Sequence, residues 1–92
     1  MRRKLARVLL RALNKNQLLI LRHLDGGGVS MTRLLQRLSE SFEVPLSTLK
    51  LNARILRELG LVEYGNGDAR LTEFGRFVLE VCGLVGDGVD GS

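Results

Sequence analysis

At Gly60 the apolar pattern of this chain changes period, and that switch limits the folds open to it more than any other feature. Upstream, apolar residues recur at the three- and four-residue spacing of helices buried along one stripe. Leu18, Leu19, Leu21 and Leu24 form one stripe, Met31, Leu34, Leu35, Leu38 and Phe42 a second, and Leu46, Leu49, Ala53 and Leu56 a third. Downstream, Leu61–Tyr64 and Ala69–Leu71 are short extended runs around Gly65-Asn66-Gly67-Asp68. Asn-Gly and Gly-Asp steps supply the positive dihedrals of tight hairpin turns, so these runs read as a two-stranded ribbon. Helical spacing then returns at Phe74, Phe77, Val78 and Val81, behind Thr72 as a cap.

Turn-forming residues mark where each element stops. Leu5, Val8, Leu9, Ala12 and Leu13 predict an amphipathic first helix, with Arg3, Lys4, Arg7 and Arg11 largely on its other side, ending near Asn14. Asn14 or Asn16 can cap the next helix, which Gly26-Gly27-Gly28 stops, and Ser30 or Thr32 the one after. Pro45 lacks an amide hydrogen and belongs at the opening of a helix, which makes Glu43-Val44 a tight turn between two helices. Gly60 ends that helix, of roughly residues 45–59, where a left-handed residue is cheap. Past Cys82, glycines among acids and valines offer too little surface to bury. The expected organisation is a basic amphipathic helix (1–13), one domain (14–82) and a flexible Gly-rich tail (83–92), mainly α with a small β-hairpin.

Ninety-two residues suit a single core. The net charge of +4 is unevenly spread: residues 1–24 carry seven bases and no acid, whereas the other seven bases share the remainder with all ten acids. A basic arm on a near-neutral body suits a polyanion, nucleic acid being the commonest, or else is a solvated face. The single cysteine, Cys82, excludes an intramolecular disulfide and favours a reducing, cytoplasmic setting. With His23 the one histidine, a Cys/His zinc site lacks ligands, and no cofactor is expected. No apolar run approaches the roughly 20 residues that cross a bilayer. Gly26-Gly27-Gly28 lacks the Lys-Ser/Thr of a phosphate loop, and no acid, base and nucleophile assemble, so the reading is not an enzyme.

Helix, helix, tight turn, helix, hairpin, helix is the order of a winged helix-turn-helix. The run Leu56-Arg57-Glu58-Leu59-Gly60-Leu61-Val62, followed by Leu71-Thr72-Glu73-Phe74-Gly75-Arg76, resembles the winged-helix transcriptional regulators of bacteria and especially archaea. The resemblance covers about residues 16–82. It implies that the first motif closes a recognition helix and enters the wing, and that the second opens the following helix. Two positions depart from the family pattern: Glu43 stands where glycine is usual, and Leu51 where a polar or basic residue is.

Sequence-specific binding of double-stranded DNA, as a transcriptional regulator, is therefore the expected function. On a helical projection Ser47, Lys50, Arg54 and Arg57 lie on a flank away from the Leu49/Ala53/Leu56 stripe, and with Thr48 and Asn52 they are the candidate base and phosphate contacts. Asn66 and Arg70 of the hairpin, Arg33 and Arg37 of the preceding helix, and Arg3 and Arg7 of the arm complete the set. A homodimer is expected because one such module contacts few base pairs, with Leu5, Val8, Leu9, Leu13, Phe77 and Val81 as its seam. Leu51 and Ile55, opposite the core stripe, support a rival reading as a protein-interaction module in a larger assembly. A basic amphipathic helix lying on anionic membrane is a further rival.

Overall fold

The computed structural model describes residues 4, 7–8, 11–24, 28–65 and 67–90, with side-chain surroundings given as far as Gly83. The sequence punctuation acts where it stands. The backbone is helical at Lys4, Arg7, Val8, Arg11 and Ala12 and breaks at Leu13-Asn14. Asn14 then caps helix α1 (Lys15–Leu24): its Oδ1 accepts from the Gln17 amide at 2.8 Å, and Gln17 Oε1 accepts from the Asn14 amide at 3.1 Å. Such a reciprocal box satisfies two amides that the helix itself cannot.

Ser30, not Thr32, caps α2 (Met31–Phe42), its Oγ accepting from the Arg33 amide at 3.2 Å. The turn that follows is left-handed at Glu43 (φ 54°, ψ 41°) despite the side chain there. Ser39 Oγ holds it by donating to the Val44 carbonyl at 2.6 Å. Pro45 sits at the entrance of α3 (Leu46–Glu58), where its missing N–H costs nothing. At the far end Leu61 donates to the Leu56 carbonyl and Gly60 to that of Arg57, both at 3.0 Å, with Gly60 at φ 80°. This is the paired-bond helix ending that a left-handed glycine permits.

Strands β1 (Val62–Gly65) and β2 (Gly67–Leu71) form an antiparallel pair, with Val62 opposite Leu71 and Glu63 opposite Arg70. Pairing reaches closer to the turn than the expected Tyr64 and Ala69 limits. A single bridge between Val29 and Ala69, with the Ala69 amide donating to the Val29 carbonyl at 2.8 Å, ties the segment before α2 to the hairpin.

Thr72 opens α4 (Glu73–Asp90) and fastens it to the end of α3. Its amide donates to the Leu61 carbonyl (3.1 Å) and its hydroxyl to that of Gly60 (2.6 Å), while the same hydroxyl oxygen accepts from the Gly75 amide (3.0 Å). Gly75 lies so close that a Cβ there would collide with the Leu61 carbonyl. Helical backbone continues to Asp90, beyond the expected limit at Cys82. Once Val78, Val81 and Cys82 are anchored in the interior, each further residue adds a helical bond without a new nucleation cost.

The result is mainly helical with one small hairpin. Ile20 and Leu21 of α1, Leu34 of α2, Leu49 and Leu56 of α3, and Val62 and Val78 meet in one core at almost no exposure. Leu13 and Val81, expected in a dimer seam, are instead 6% and 0% exposed in the chain's own interior. These two side chains are covered within one copy. Val8 and Phe77 remain open at 61% and 42%; Leu5 and Leu9 lie outside the described residues.

Candidate nucleic-acid interface

Because Leu49, Asn52, Ala53 and Leu56 turn inward, α3 presents its opposite side to solvent. Lys50, Arg54 and Arg57 are exposed along one edge of it and line a concavity of about 310 Å³. Ser30, Met31 and Thr32 at the start of α2 form one wall, and Tyr64, Gly65 and Gly67 of the hairpin another. Among the described residues that line it, three are cationic and none is acidic. The first turn of α2 likewise carries no acid. The positive end of the helix dipole thus adds to the three side-chain charges.

Arg57 is held in place. Its guanidinium lies 4.6 Å from the centre of the Tyr64 ring, which fixes the junction between α3 and the hairpin and leaves the guanidinium edge free to donate. Tyr64 is a contributor that the sequence did not single out, since ring and cation lie on different elements.

Ser47 is exposed and Thr48 half-buried at the start of α3. Arg33 and Arg37 are exposed on the other side of α2, beside a separate shallow concavity that they share with Glu40. They do not join the Lys50–Arg57 cluster. Arg70 points across the hairpin to Glu63, to whose Oε2 it donates from Nε at 3.0 Å and Nη2 at 2.8 Å. Arg7 is exposed on the N-terminal segment; Arg3 and Asn66 lie outside the described residues.

Asn52 departs from expectation. Only 6% exposed, it faces inward, its Oδ1 accepting from Asn14 Nδ2 (3.0 Å) and Gln17 Nε2 (3.1 Å) while its Nδ2 donates to the Thr48 carbonyl (2.9 Å). A carboxamide so engaged has no edge left for a base. Its position on the projection, next to the core stripe, is the signal that it belongs to the interior.

Cys82 is buried, and burial pushes its thiol above the ordinary range, an effect the Arg22 charge partly offsets. A protonated, enclosed thiol is a poor nucleophile. His23 is exposed, its Nδ1 2.9 Å from the Leu19 carbonyl and its ring edge-on to Phe42. Among the described residues no three metal-ligating side chains come together, and no helix is long and apolar enough to cross a membrane. Comparison with protein-family models, curated proteins and solved structures finds no match to this chain.

Proposed function

We propose that this chain is a winged helix that reads double-stranded DNA, with α3 as recognition helix and the β1–β2 hairpin as wing, and that it serves as a transcriptional regulator. The observation that carries the reading is the acid-free concavity in which Lys50, Arg54 and Arg57 face the start of α2 and the hairpin. Three elements distant in sequence supply donors to one curved surface, as a phosphate backbone needs, while the exposed face of α3 fits a major groove about 12 Å wide. The basic N-terminal segment adds charge that attracts any duplex.

Leu51, 56% exposed, is what favours a protein-docking reading instead. Ile55 is half-buried, however, so the apolar pair on which docking would rest shrinks to one leucine beside Arg54.

A homodimer remains part of the proposal, with its seam moved. The exposed Ala12, Leu59 and Phe74 edge an apolar groove of about 320 Å³ floored by the buried Leu13, Leu61 and Val78. The exposed Arg11 adjoins Ala12 in the chain and the exposed Glu73 adjoins Phe74, so two copies related by a twofold axis can set each base against the partner's acid.

Fluorescence anisotropy with random duplexes and with duplexes selected by the protein, each at two salt concentrations, tests the reading. Expected are a steep fall of affinity with salt on both and tighter binding to selected sequence. Absence of binding to either at low salt would reject it.

A further inference from the structure

Resting on the DNA-reading proposal, we infer that Leu51 is a specificity-determining residue that recognises the C5-methyl group of a thymine in the major groove. The buried side of α3 is defined by Leu49, Asn52, Ala53 and Leu56. At about 100° per residue, the line opposite their centre runs through Ser47, Leu51, Arg54 and Glu58, spaced four, three and four residues apart. All four are exposed. These side chains therefore reach deepest when the helix enters a groove, whereas Lys50 and Arg57 turn towards the walls formed by α2 and the hairpin.

Leu51 is the apolar member of that outermost line. Its surface is left 56% exposed. A leucine pushed into a groove edged by phosphates loses water and gains nothing unless it meets another apolar group. The bases offer one apolar group of methyl size there, that of thymine; cytosine presents only a C5–H at the same place, and the remaining edge groups are hydrogen-bond donors or acceptors. Arg54, one helical turn along on the same line, can donate to a guanine edge close by. The pair thus calls for a thymine within a base pair or two of a guanine. The leucine at a position where a polar residue was expected is on this account a reader of a base, not an obstacle to reading.

Thymine-to-uracil scanning of a selected duplex tests the inference, because uracil keeps every hydrogen-bonding group and lacks only the methyl. One thymine whose replacement weakens binding roughly fourfold, equivalent to ~0.8 kcal/mol for one buried methyl, is expected. Leu51→Ala should flatten the scan at that position and no other. As the side chain is exposed, this variant stays folded, which circular dichroism checks. A flat scan in a parent that still prefers its selected duplex overturns the methyl contact but leaves DNA reading intact. A drop that survives Leu51→Ala assigns the methyl to another side chain and overturns the role of Leu51. No binding to any duplex removes the reading of the site itself, and the inference with it.

Discussion

Asn14 donates through its side-chain amide to the Oδ1 of Asn52 across 3.0 Å, joining the cap of α1 to the middle of α3 over 38 residues of sequence. With Gln17 on the same acceptor, the contact sets how the exposed face of α3 is angled relative to the rest of the core. Replacing Asn52 by leucine, similarly branched but without an acceptor, strands the buried Gln17 donor and takes the partner of the more exposed Asn14 amide. Asn52→Leu should therefore lower the unfolding free energy by about 1–3 kcal/mol in urea titration. DNA affinity per folded molecule should change little, which separates this structural role from base contact.

Two glycines of α4 should respond oppositely to the same substitution. Gly75→Ala drives a Cβ into the Leu61 carbonyl, backbone that cannot rotate away, and should cost about 1–3 kcal/mol or more. Gly83→Ala meets nothing within 4 Å in a helix interior and should stabilise by about 0.5–1 kcal/mol. Thermal melts of the two variants measure the contrast. Stabilisation by both would mean that α4 is not docked through its first turn.

Burial raises the Cys82 thiol pKa in the folded chain. Between the unfolded and folded values the native state holds the proton more firmly, so the unfolded chain binds fewer protons and stability falls as pH rises. The group's contribution is complete below the ordinary thiol range and is lost as pH climbs through the raised folded value. Cys82→Ala should be less stable at neutral pH because of the cavity, yet show a shallower further loss above about pH 9. Urea midpoints at neutral and alkaline pH would check the sign. Ellman's reagent should react with the parent at pH 8 only on unfolding.

The sequence made the order of elements legible because its breaks are local chemistry. Pro45, Gly60 and Thr72 act within a few residues of themselves, and each stands at the helix boundary it was expected to mark. Left-handed geometry at Glu43 shows that the turn is set by the helices on either side and by Ser39, more than by the residue occupying it. Partnerships across the chain were the part not legible. Nothing near Asn52 announces Asn14, nothing near Arg57 announces Tyr64, and the pairing of Arg70 with Glu63 depends on hairpin register. Leu13 and Val81 misled for the same reason: an apolar stripe records that it will be covered, not by which copy of the chain.

Three arginines with different surroundings give the last prediction. Arg54 is exposed on the outermost line of α3, Arg70 is engaged by Glu63, and Arg7 stands on the basic N-terminal segment. Arg54→Ala should cost about 1–3 kcal/mol on a selected duplex and little on random DNA, because only a base edge distinguishes the two. Arg7→Ala should weaken both about equally and reduce the salt slope by roughly one, the signature of a lost phosphate contact. Arg70→Ala should do little to either, since a guanidinium already chelating a carboxylate oxygen gives up that bond before it can bind a phosphate. All three side chains are exposed, so differences in folding do not cloud the comparison. If Arg54→Ala leaves the ratio of selected to random affinity intact, α3 does not read bases. The exposed face around Leu51 would then be better explained as a surface for another protein.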